Sequence, residues 1–232
     1  MNFISIRVSD DNNLMYLFYT SEIAFSVDST DPHLLIESLD KSFTREYYLP
    51  HEIRNLPVLE TTRKLIYSFT THHHFDHSSG DNLLRDLIPD IIQIKGEGSD
   101  KKYDVSGIPV QAISTPCHTR DSTCYLVDNK YLCTGDTIFY LGCGRFFEGD
   151  AKDMLESIRK IKKLNNNLIL LYGHDYRESN RAFIKYISKE EIPKDERIWL
   201  TLGEEKKFNP FFLVETEEEM RDLRERKNNF RI

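Results

Sequence analysis

Over the first 175 positions the chain alternates short apolar runs with polar turns, the pattern of strands that bury one or both faces. The runs fall at residues 3–8, 14–19, 23–27, 65–70, 91–94, 110–114, 124–127, 130–134 and 168–172, and each predicts a strand. Asp128 and Asn129 separate two of them; both tolerate the left-handed backbone of a two-residue primed hairpin turn. Helical spacing appears at 32–39, 81–87 and 151–164. In the last, Met154, Leu155, Ile158, Ile161 and Leu164 share one face. Past residue 176 the character changes. Residues 177–189 read as a helix, Pro193 and an Asp-Glu-Arg stretch interrupt it, and a short apolar segment follows at 198–202. Residues 217–230 predict a charge-dense helix with few apolar positions, which needs another surface to lie on. The expected organisation is a domain of residues 1–175 and a C-terminal helical domain of residues 176–232.

Composition narrows the class. The chain has 232 residues, 39% of them hydrophobic, enough for a sizeable core. No apolar run approaches the roughly 20 residues that span a bilayer. The start has no basic stretch leading into an apolar region and carries Asp10 and Asp11, which argues against a targeting signal and for the cytoplasm. A net charge of −7 disfavours nucleic acid as a partner. Cys117, Cys124, Cys133 and Cys143 contain no CxxC pair, so they read as reduced, mostly buried thiols.

The chemistry concentrates at strand exits. Residues 65–70 run directly into Thr71-His72-His73-His74-Phe75-Asp76-His77. In an extended turn residues two apart point the same way, so His72 and His74 can share a cation while His73 points elsewhere. Asp76 and His77 follow just past the bend. Histidine makes up 8 of 232 residues, so three at this spacing somewhere in the chain are on the order of a one-in-a-hundred coincidence. His118, Asp136 and His174 each stand at or just beyond the end of a further apolar run, at 110–114, 130–134 and 168–172. Sheets gather such exits along one edge, where sites are built. Together these residues supply a two-metal set: His72, His74 and His118 for one ion, Asp76, His77 and His174 for the other, and Asp136 between them. Imidazole and carboxylate suit Zn²⁺, Fe²⁺ and Mn²⁺.

With those residues in place the sequence resembles the metallo-β-lactamase superfamily, whose signature is H-x-H-x-D-H followed by separate His, Asp and His. Within it the resemblance is to glyoxalase II, through Thr71–His77, Thr115–Thr119, Thr134–Phe139, Gly142–Gly149 and Gly173–Tyr176. It continues through Phe208-Asn209-Pro210-Phe211 and Met220-Arg221…Arg224…Lys227…Phe230, so it runs over nearly the whole chain. It implies an α+β fold, the αββα sandwich, followed by a small C-terminal helical domain. It also implies hydrolysis of S-2-hydroxyacylglutathione, S-lactoylglutathione above all, to a 2-hydroxy acid and glutathione. The nucleophile is a hydroxide shared by two divalent ions, zinc first and iron or manganese as alternatives, with Asp76 and Asp136 as the catalytic carboxylates. Substrate contacts fall on Arg145, Phe147 and Tyr176, and the partner is a small glutathione conjugate bound by a monomer.

One departure bears on that substrate. Where the family offers basic residues after Asn-Pro-Phe, this chain reads Phe212-Leu213-Val214-Glu215-Thr216-Glu217. A carboxylate loses there a charge-assisted partner worth roughly 1.5–3 kcal/mol. Lys206 or Lys207 substitutes, or binding is weaker, or the carrier is a different thiol. The competing functions are a one-iron persulfide dioxygenase or a lactonase on the same fold, and a scaffold that keeps metals without catalysis. The imidazole–carboxylate donors with open positions disfavour the last, since structural zinc sites are closed and thiolate-rich.

Overall fold

The structure, a computed structural model, describes residues 1–8, 12–60, 63–188 and 197–231. The expected end of a helix at Lys189 and the break at Pro193 lie outside the described residues. The chain divides into two compact units, Met1–Gly96 and Glu97–Ile232, and residue 175 lies within the second.

In the first unit a mixed sheet is built from β1 (Asn2–Arg7), β2 (Leu14–Tyr19), β3 (Ile23–Val27), β4 (Tyr47–Tyr48), β5 (Lys64–Thr70) and β6 (Ile92–Lys95), in the order β4-β1-β2-β3-β5-β6. The strands at 14–19 and 23–27 coincide with the apolar runs. Ile4, Ile6, Met15, Leu17, Ala24 and Leu65 bury one face together with Leu34 and Leu35 of α1 (Pro32–Glu37), Ile53 of α2 (Pro50–Arg54) and Leu84 of α4 (Asp81–Leu87). The expected helix 32–39 ends in a 3-10 turn, Ser38–Asp40. What matters for chemistry is that β3 and β5 run parallel, with Val27 opposite Phe69. Their exits therefore lie side by side, and the residue leaving β3, Asp28, reaches the histidine turn that leaves β5.

In the second unit β7 (Lys101–Val105), β8 (Ile108–Ser114), β9 (Thr123–Val127), β10 (Tyr131–Gly135) and β13 (Ile169–Tyr172) form a sheet ordered β13-β10-β9-β8-β7. Asp128 and Asn129 have φ of 51° and 49°, the primed turn the sequence predicts between β9 and β10. Strand β10 runs parallel to β13 and, through antiparallel β9, in the same sense as β8. Three exits, leading to His118, Asp136 and His174, thus open along one edge. A two-stranded ribbon, β11 (Ile138–Phe139) and β12 (Gly142–Cys143), follows β10. Helix α5 (Ala151–Lys162) buries Met154, Leu155, Ile158 and Ile161 as its spacing predicts. The chain then forms α6 (Arg177–Ile187), α7 (Leu202–Phe208), α8 (Pro210–Leu213) and α9 (Glu217–Asn229). The charge-dense α9 finds its surface on α5 and buries Met220, Leu223 and the Arg224 side chain. The four cysteines are buried free thiols. Among the described residues no helix is long and apolar enough to cross a membrane.

Candidate metal centre

The first unit carries one set of candidate donors. The chain leaves β5 through Thr71 and turns into the short helix α3 (Phe75–Ser78). His72 and His77 are buried, His74 and Asp76 are half-buried, and His73 is exposed, the alternation the sequence predicts. His72 Nε2 and His74 Nδ1 stand 3.1 Å apart. Two nitrogens on one tetrahedral zinc, each about 2.0–2.1 Å from it, are separated by about 3.3 Å, so the pair is close to ligand spacing. His77 Nε2 lies 3.7 Å from Asp76 Oδ2.

A buried carboxylate that the sequence reading did not single out orders this set. Asp28 Oδ1 accepts from Thr71 N (2.8 Å), and its Oδ2 accepts from Thr71 Oγ1 (2.9 Å) and His77 Nδ1 (2.8 Å). Because the carboxylate accepts, the His77 proton sits on Nδ1 and Nε2 keeps its lone pair. Thr71 spends its one hydroxyl proton on Asp28, so it accepts from His72 Nδ1 at 3.1 Å, and His72 Nε2 is likewise left as a donor to a cation. Asn13 Nδ2 donates to the Asp76 carbonyl at 2.8 Å and fixes the bend. Asp28 carried the same kind of signal as Asp136, a carboxylate just past an apolar run.

The second unit carries a set of its own. His118 Nδ1 donates to the Arg145 carbonyl at 3.0 Å, which points Nε2 at Asp136 Oδ2, 3.3 Å away. His174 Nε2 stands 3.5 Å from the same oxygen. All three residues are buried. The bare His118 Nε2 facing a carboxylate oxygen calls for positive charge between them, which a divalent cation would supply. Gly144 is required for this packing: a Cβ there would come within 2.0 Å of the Asp136 carbonyl oxygen and 3.0 Å of His118 Nδ1.

Side chains expected to touch substrate border these ligands. The Phe147 ring meets His118 edge-on at 5.1 Å and is 60% exposed, and Tyr176 stacks on His174 at 5.0 Å. Arg145, Phe146, Phe147, Arg221, Arg224 and Arg231 are among the residues lining a cleft of about 410 Å³. Lys206 and Lys207 stand elsewhere. Lys206 bonds the Leu164 carbonyl and Asn166, and Lys207 lies over the Phe208 ring. The arginines of α9 carry the basic charge beside Arg145. Their signal was the tail from Met220 to Phe230, already part of the family resemblance.

The fold and the donors define a metallo-β-lactamase-fold protein. The chain is similar to the crystal structure of ETHE1 from Myxococcus xanthus, with a TM-score of 0.67 at 22% identity over 100% of this chain and 92% of that one. It is similar also to the BLEG-1 B3 metallo-β-lactamase, with a TM-score of 0.66 at 19% identity over 92% of this chain and 100% of that one. No family model matches the chain. Sequence relatives are narrower: the "Probable hydroxyacylglutathione hydrolase" of Encephalitozoon cuniculi is 42% identical over 98% of this chain and 97% of its own length. The hydroxyacylglutathione hydrolase of Dictyostelium discoideum is 29% identical over 82% of this chain and 72% of its own. The chain belongs to the hydroxyacylglutathione hydrolase family, the glyoxalase II enzymes.

Proposed function

We propose that the chain is a metal-dependent thioester hydrolase that cleaves S-2-hydroxyacylglutathione, S-lactoylglutathione first, into a 2-hydroxy acid (D-lactate) and glutathione. The observation that carries the reading is Asp136 Oδ2 faced by His118 Nε2 and His174 Nε2, in a chain of this family. The donor types suit a dinuclear centre, and by the family signature we assign His72, His74 and His118 to one cation, Asp76, His77 and His174 to the other, and Asp136 to both. Zinc is the metal we assign, although the same donors accept iron or manganese.

Divalent cations held there supply the Lewis acidity that makes water a nucleophile near neutral pH and polarises the thioester carbonyl. The chain's own residues prepare the site. Asp28, Thr71 and the Arg145 carbonyl fix the tautomers of His77, His72 and His118. Phe147 and Tyr176 give the acyl-thiol apolar walls. Arg145, with Arg221 and Arg231, draws the anionic end of the thiol into the arginine cleft despite the negative net charge. A thiol has a pKa near 8.5, so it departs as thiolate and requires no general acid. In this reading residues 176–232 form the substrate-binding part, and the protein works as a cytosolic monomer on a small thioester, without nucleic acid or membrane.

Hydrolysis of S-lactoylglutathione, followed at the thioester absorbance beside metal analysis of the same sample, tests the proposal. It expects two divalent ions per chain, activity lost on chelation and restored by zinc, and no oxygen uptake. Turnover that survives complete metal removal overturns it. Arg145→Gln is expected to raise KM about ten- to a hundred-fold with kcat nearly unchanged, the worth of one charge-assisted hydrogen bond; steady-state kinetics reads it directly.

A further inference from the structure

The loop that leads into Arg145 and Phe147 is held at four consecutive residues by the C-terminal helices. Asn180 Nδ2 of α6 donates to the Tyr140 carbonyl at 2.8 Å, and Leu141 N donates to Glu205 Oε1 of α7 at 3.0 Å. Asn209 Nδ2 donates to the Gly142 carbonyl at 3.0 Å, and Arg224 Nη1 of α9 to the Cys143 carbonyl at 2.9 Å. Leu141 is in the left-handed region with φ of 51°, so this turn is held against its own preference.

Glu205 is the charged acceptor in this clasp, and its side chain is fully buried in a segment, Glu204-Glu205-Lys206-Lys207, that reads as solvated. Three donors converge on it: Leu141 N and Tyr172 Oη (2.8 Å) on Oε1, and Asn209 Nδ2 (2.7 Å) on Oε2. Asn209 Oδ1 accepts from Phe211 N at 3.0 Å, which fixes the amide so that its NH₂ is divided between Glu205 and Gly142.

We propose that Glu205 is a positioning residue for substrate binding: as a carboxylate it fixes Leu141 directly and Gly142 through Asn209, and so sets the reach of Arg145 and Phe147. The inference rests on the reading of Arg145 as the contact for the anionic thiol. Every partner of Glu205 donates, so a proton on Oε2 meets the Asn209 amide hydrogens and the clasp loosens. Burial pushes the Glu205 carboxyl up to about 7, against the lowering effect of its three donors. The titratable groups facing it are Tyr172 of β13, whose phenol burial holds well above its ordinary value, and Glu204 of its own helix, which opposes ionisation. Tyr140, bonded through its hydroxyl to Arg181, lies beyond Tyr172, and the Cys143 thiol of β12 is held neutral by burial.

The test is steady-state hydrolysis of S-lactoylglutathione from pH 5.5 to 8.5 by the zinc-loaded wild type, Glu205→Gln and Arg145→Gln. The wild-type KM is expected to climb several-fold as pH falls through 7, a range in which the glutathione moiety itself changes little in charge. Glu205→Gln, which lacks the charge and turns an NH₂ toward a donor, is expected to show a KM about ten-fold higher at pH 8. Its kcat should stay within about two-fold, and its KM should no longer depend on pH between 6 and 8. A flat wild-type KM overturns the proposal even where the variant fails to fold, as does a Glu205→Gln profile that matches wild type. If Arg145→Gln leaves KM unchanged, the thiol-contact reading falls and the proposal with it; if only Arg145→Gln raises KM, the positioning role alone is wrong.

Discussion

Asp136→Ala is expected to lose turnover by well over the roughly 100-fold that marks removal of a group behind a metal ligand. Its Oδ2 is the oxygen that His118 Nε2 and His174 Nε2 face at 3.3 and 3.5 Å, so the substitution removes the one group common to both neighbours. The charge count makes the same point: a carboxylate lowers the cost of gathering two dications, and five neutral imidazoles with Asp76 do not replace it. Metal analysis of the purified variant should find one tightly held ion in place of two, with the helical content of wild type. A variant that keeps both ions and full turnover would mean that Asp136 is not shared.

Asp28→Asn probes the support behind the ligands. The amide can still accept from Thr71 N through Oδ1, but where Oδ2 stood it now presents NH₂ to His77 Nδ1 and Thr71 Oγ1. The His77 ring then has to move its proton to Nε2, the position that must stay bare to bind a cation. The expected result is a 10- to 100-fold loss of affinity for one ion, with a matching loss of activity at limiting metal, partly recovered at high zinc concentration. Metal titration followed by activity separates this from a folding defect, which added zinc would not repair. Equal affinity in both proteins would show that the tautomer is set by another group.

These two aspartates also show what could be read from the chain and what could not. The 72–77 turn and the three later exits were legible because donors stand at fixed short spacing or directly after apolar runs. The strands at 14–19 and 23–27 and the Asp128-Asn129 turn were legible for the same local reason. Asp28 makes its bonds 43 and 49 positions away, a distance at which no periodicity carries information. The burial of Glu205 and of Arg224 was hidden for a different reason. Both sit in charge-dense stretches that look solvated, and only tertiary packing decides which one of several charges turns inward. Helices α7 and α8 were missed because they are short and rely on Thr201 and Asn209 as caps more than on an apolar stripe.

The buried cysteines have a further consequence for a catalyst that handles activated acyl groups. A thioester passes its acyl group to any thiolate it meets, so a reactive cysteine beside the binding loop would be modified by the protein's own substrate. Cys143 lies two residues before Arg145, yet burial pushes its pKa, like that of Cys124, up to about 11. At pH 7 about one such thiol in ten thousand is ionised. The sulfur atoms fill the core as apolar spheres and stay chemically silent towards the acyl groups that the enzyme transfers to water.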